Sequence, residues 1–155
     1  MISFLKSKAA LAFVVVVCSF SGGAWAADQG TEAEAEAMVK RAILYIKANG
    51  QAKAEEEFTN GRLFKDRDLY VAWFQLGGKV LANGANPKLV GKDLIGLKDA
   101  DGFLLVKSND DLARTKGIGW SSPYKFLNPM TGKIAEKHSF IERVGDTWVA
   151  VGVYK

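Results

Sequence analysis

The stretch richest in usable chemistry is Trp120-Ser121-Ser122-Pro123-Tyr124-Lys125-Phe126. Aromatic rings beside one lysine, on a strand that leads into a turn, are suited to a small pocket for an anion. The rings supply shape and hydroxyl donors, and the ammonium supplies the counter-charge. Strand alternation puts Trp120, Ser122, Tyr124 and Phe126 on one face and Lys125 on the other, unless Pro123 bulges the strand and re-aims that pattern. The competing reading is structural: Trp120 and Phe126 in the core, Lys125 in solvent.

No reaction centre stands out elsewhere. His138 is the single histidine, and mid-strand it reads as a partly buried or surface residue without Ser-His-Asp partners. A small hydrolase or lyase using Tyr, Lys or His138 would need a base and an orienting group, and no such pair is visible. The only cysteine, Cys18, lies in the N-terminal apolar segment. Thiol catalysis, disulfides and cysteine zinc sites are therefore not expected in the rest of the chain. A lone histidine does not build a transition-metal site. Asp99 and Asp101 before Gly102 echo a calcium loop but lack its downstream glutamate, so they read as a turn. Gly117-x-Gly119 lacks the third glycine and the preceding strand of a dinucleotide cradle. The expectation is a protein that is not an enzyme and holds neither metal nor cofactor.

Composition narrows the class further. The chain has 155 residues, 48% hydrophobic and 25% charged, with mean hydropathy near zero, as one globular domain would. Lys6 and Lys8, the apolar run Ala9 to Phe20 and the small residues around Ala24-Trp25-Ala26 form the n-region, h-region and cleavage pattern of a secretory signal over residues 1–26. The run is short of the roughly 20 residues of a spanning helix. Cleavage would leave residues 27–155 as a single periplasmic or secreted domain with no membrane span. It would remove two of the 21 basic side chains, leaving 19 against 17 acidic ones. That mixed, nearly balanced charge argues against nucleic acid as a partner.

These residues must be held by helices and then strands. Thr31 and Glu34 have capping-box spacing. Behind them Met38, Ala42, Tyr45 and Val39, Ile43, Ile46 form one apolar stripe that stops at Gly50. A second helix is expected over Gln51 to Phe58. Leu69 to Leu76, apolar on both faces, suits a central strand, with Gly77-Gly78 as a hairpin turn and Lys79 to Ala82 returning. Phe103 to Val106 fits either a short strand or a helical turn. Asp110 to Lys116 fits a short helix capped by Asn109 or Asp110. Strands are expected over Gly119 to Leu127, Lys133 to Val144 and Thr147 to Tyr154. Helices followed by an antiparallel meander define an α+β fold.

Ordered motifs carry a family resemblance. Phe64-Lys65-Asp66-Arg67-Asp68-Leu69-Tyr70-Val71 is followed by Leu81-Ala82-Asn83-Gly84-x-Asn86-Pro87-x-Leu89-Val90-Gly91-Lys92-Asp93. Trp120 to Lys125, Asn128-Pro129-x-Thr131-Gly132-Lys133 and the terminal Gly152-Val153-Tyr154-Lys155 continue in the same order. The chain resembles the single Cache domain family over nearly all of residues 27–155. The resemblance implies a long N-terminal helix packed on a PAS-like antiparallel β-sheet. It also implies extracytoplasmic sensing of a small molecule, often a short carboxylate. Two departures stand out: an extra residue (Ser122 or Pro123) before Tyr124, and His138-Ser139-Phe140 where the family often has Ser-Thr-Tyr. By the same resemblance, Tyr70, Trp73, Trp120, Tyr124 and Lys125 are the expected pocket walls, with Arg67 and Lys137 as alternative charges for a carboxylate. On a regular strand Tyr124 and Lys125 cannot both face it. The expected function is a periplasmic binding module without its own transducer, working with a membrane receptor or kinase. The alternative is an interaction or dimerisation module with a vestigial pocket.

Overall fold

Local sequence dictates how the chain enters its first helix. The computed structural model describes residues 28–155, so the signal read over residues 1–26 lies outside the described residues. Helix α1, Glu32–Asn49, begins at a capping box. Glu34 N donates to Thr31 Oγ1 at 3.3 Å, and Thr31 N donates to Glu34 Oε2 at 2.8 Å. Ala35, Met38, Val39, Ala42 and Ile43 form its buried stripe. Gly50, at φ +80°, turns the chain into α2, Gln51–Asn60.

Seven strands follow: β1 Lys65–Asp66, β2 Leu69–Gln75, β3 Val80–Asn83, β4 Ile118–Trp120, β5 Tyr124–Leu127, β6 Ile134–Val144 and β7 Thr147–Tyr154. Helix α3, Leu105–Thr115, lies between β3 and β4. All pairings are antiparallel. The order is not a simple meander, because the last strand, β7, inserts between β2 and β6. Both faces of this α+β sheet are covered, which explains the two-sided apolar pattern of β2. On one face Val71, Trp73, Val149, Val151 and Phe140 pack against α1 and α2. On the other, Phe74, Ile141, Trp148 and Ala150 pack beneath α3 and the loop before it. Among the described residues no helix is long and apolar enough to cross a membrane.

Two local expectations are corrected and one left open is settled. Gly119 to Leu127 is not one strand but β4 and β5, separated by Ser121–Pro123. Trp120 pairs with Phe140 while Tyr124 pairs with Lys137, so four steps on this edge face three on β6. One extra residue reverses the alternation. Trp120 therefore faces α1, and Tyr124 faces away from it. Of the two readings left open for Phe103 to Val106, the helical one holds for Leu105 and Val106, which open α3, while Leu104 forms an isolated bridge with Lys98. Asn109 and Asp110 consequently lie inside α3 and do not cap it, because Leu105 and Val106 bury against the sheet and extend the helix backwards.

Candidate ligand-binding site

Strand alternation builds the site. On β6 the side chains of Lys137, Ser139 and Ile141 point to the α3 side, opposite Tyr154, Gly152 and Ala150 of β7. Tyr70, Ala72 and Phe74 of β2 and Tyr124 and Phe126 of β5 reach the same face. Between this floor and a roof of Leu89, Leu94, Leu97, Leu105, Val106 and Asn109 lies a cavity of about 50 Å³. One water needs on the order of 10–15 Å³ by this measure, so the cavity would take a few waters or a small molecule of two or three carbons.

The cavity's cation is Lys137, only 4% exposed. Its Nζ donates to Tyr70 Oη at 2.8 Å and Tyr154 Oη at 3.1 Å. It also lies 4.3, 4.6 and 5.4 Å from the ring centroids of Tyr70, Tyr154 and Phe126. No salt bridge reaches it among the described residues. Burial lowers its pKa to about 7, and the Asp68 carboxylate offsets this only in part. As an ammonium it has three donors, two committed to the tyrosines and a third to offer. Burial also raises Tyr70 and pushes Tyr124 up to about 12, so both remain neutral hydroxyls. Tyr154 Oη donates to Leu127 O at 2.8 Å, which leaves its oxygen lone pairs for Lys137. Tyr124 Oη and Ser139 Oγ share a hydrogen bond of 2.7 Å.

Two features hold this arrangement. Gly152 has no space for a side chain: a Cβ there would stand 2.1 Å from Lys137 Cε and 2.6 Å from Ser139 Oγ. The lysine stem lies where that Cβ would be. Asp110 pins the roof. Its Oδ1 accepts from Gly77 N at 3.0 Å and from Trp148 Nε1 at 3.0 Å, and its Oδ2 accepts from Arg114 Nε at 2.6 Å. Helix, turn and floor are thereby tied through one buried carboxylate, whose pKa these donors lower despite its burial.

Of the residues expected from sequence, the structure brings Tyr70, Tyr124 and Lys137 together on the cavity wall. It places the other four outside. Trp73 has the opposite parity on β2 and packs edge-on against Phe58, 5.8 Å between centroids. Trp120 points to α1, where its Nε1 donates to Glu36 Oε1 at 3.0 Å and its ring stands 4.7 Å from His138. His138 Nε2 is 2.7 Å from Glu32 Oε1, a strand-to-helix tie. Lys125 is 48% exposed and pairs with Asp101 at 2.8 Å. Arg67, in the β1–β2 turn at φ +55°, pairs with Glu34 at 2.7 Å and Asp66 at 2.8 Å. Sequence reading missed Asn109, Ser139, Trp148 and Gly152. Alternation along β6 would have coupled Ser139 to Lys137, but nothing local marks the other three.

Comparison with known proteins agrees with this architecture. The solved structure of a methyl-accepting chemotaxis protein from Vibrio parahaemolyticus RIMD 2210633 is similar with a TM-score of 0.68 at 20% identity, covering 79% of this chain and 86% of that one. A periplasmic sensor domain of a chemotaxis protein gives 0.63 at 23% identity, over 79% and 88%. A Cache chemosensory domain studied for carboxylic acid recognition gives 0.63 at 23%, over 79% and 86%. No curated protein matches the chain significantly. The single Cache domain 2 family model matches residues 20–154, and the chain belongs to that family of sensor domains.

Proposed function

We propose that this domain binds a short carboxylate in the cavity under α3, with Lys137 as its counter-ion. The observation that carries the reading is a buried lysine with no carboxylate in salt-bridge contact among the described residues, on the wall of a cavity sized for two or three carbons. A buried ammonium is costly unless paired, and an entering anion supplies the pair. Tyr70 and Tyr124 add neutral hydroxyls, and the apolar roof excludes larger or doubly charged ligands. The similar Cache domain studied for carboxylic acid recognition supports this choice of ligand class. In this reading ligand stabilises the Asn83 to Asp101 loop and α3 in their closed arrangement, shifting an existing equilibrium. The loaded form would then be presented, outside the cytoplasm, to a membrane receptor or kinase.

The test is calorimetric titration with acetate and propionate, alongside mass spectrometry of small molecules released on denaturation. Saturable binding that Lys137→Met abolishes, with the variant still folded, is the expected result. No heat, no released acid and a stable dimer in light scattering would replace this reading with that of an interaction module.

A further inference from the structure

We infer that Asn109 selects, among short acids, those carrying a hydroxyl beside the carboxylate; the inference rests on the acid-binding reading above. The buried face of α3 consists of Leu105, Val106, Asn109, Asp110 and Ala113. Asp110 is fully employed by its three donors. Asn109 is not. It is 4% exposed and forms part of the cavity wall. Its side-chain amide lies against the Tyr124 hydroxyl, while its Oδ1 is buried without a donor among the described residues. Asparagine in a helix interior is a poor helix former that prefers caps and turns. Unpaired buried acceptors are uncommon in folded proteins. A leucine of similar size would close the roof without either cost; the Tyr124 hydroxyl accounts for the amide's NH2 end, and Oδ1 alone is left without a structural role.

The polar groups along the wall give the amide a use. Tyr124 pairs across the sheet with Lys137, and its hydroxyl meets Ser139 two residues further along β6. Two strand residues span roughly 7 Å. A ligand whose carboxylate meets Lys137 thus presents its second carbon toward the Ser139, Tyr124 and Asn109 end. A hydroxyl there donates to Asn109 Oδ1 and still accepts from a neighbouring hydroxyl. An unsubstituted acid leaves Oδ1 unpaired, and a 2-oxo acid brings a second acceptor to an acceptor.

Titrating the wild-type domain with glycolate against acetate, and L-lactate against propionate, tests the inference without any variant. The hydroxy acid of each pair should bind about tenfold tighter, the usual scale for satisfying a buried polar group. In Asn109→Ala, checked for folding by circular dichroism, the ratio within each pair should fall to about one. Equal affinities within both pairs of the wild type, or an unchanged ratio in Asn109→Ala, would overturn the selectivity and leave acid binding standing. Failure of all four acids to bind would overturn both.

Discussion

Lys137 is the residue at which burial and charge conflict. Its usual pKa of 10.5 is lowered by burial to about 7 in the folded protein. Between those values the unfolded chain holds a proton that the folded one does not, so stability rises with pH there. The penalty is fully present below about pH 7 and disappears as pH climbs toward 10.5. Lys137→Met should therefore raise the melting temperature at pH 6.5 and flatten its rise toward pH 9, measured by scanning calorimetry. Acid binding has the opposite slope. Because the anion needs the ammonium, binding above pH 7 takes up a proton, and affinity should fall by up to tenfold per pH unit. Titrations in two buffers of different ionisation enthalpy would read that proton directly, and identical heats at pH 8 would contradict it. Gly152→Ala is the companion test. Its methyl would displace Lys137 Cε, so acid binding should drop at least tenfold while circular dichroism stays native.

At the scale of elements, the break between β4 and β5 decides which aromatic meets the cavity. Deleting Ser122 would restore one continuous register opposite β6, with Trp120 still opposite Phe140 and Tyr124 still opposite Lys137 on the cavity side. The expected outcome is acid binding retained within a few-fold in a variant with native circular dichroism; loss of binding in that folded variant would refute this account of the break. The placement of α3 depends on Asp110. Removing its carboxylate in Asp110→Ala leaves the Gly77 amide and the Trp148 indole without their acceptor. That should cost about 2–4 kcal/mol in urea unfolding, the combined scale of two buried donors left unpaired. The helix boundaries show what local sequence can and cannot encode. The capping box of α1 was legible because Thr31 and Glu34 satisfy each other within one turn. The start of α3 was not, because its N-cap, Leu104, makes no side-chain cap hydrogen bond. Its first turn is held by packing on the sheet.

The whole molecule is one sheet with two differently used faces. The α1 and α2 face is filled by large side chains such as Trp73 and Phe58, while the α3 face leaves a cavity. A ligand in that cavity touches floor and roof together, so its effect should be confined to the roof. Amide exchange with and without a bound acid should slow in residues 86–112 and leave α1 unchanged; protection spread over α1 would point to a different mechanism. At a hundredfold excess over Kd, ligand should add about 2.7 kcal/mol to stability, visible as a rise in melting temperature of several degrees.

Periodicity, turn residues and caps read from sequence alone determined the α+β class, the first helix, the Gly77-Gly78 hairpin and the long strands β2, β6 and β7. Each is signalled by a pattern of residue types within a short window, and local sequence encodes such patterns. Which side chain faces the cavity was decided only in three dimensions. Trp120 and Tyr124 share a face on a regular strand and occupy opposite faces here, because one extra residue shifts the register against β6. Lys125 and Lys137 are both lysines beside aromatic residues. One reaches solvent and Asp101, the other a closed wall of tyrosines. That difference follows from partners up to 67 residues away, brought alongside when β7 pairs with both β2 and β6.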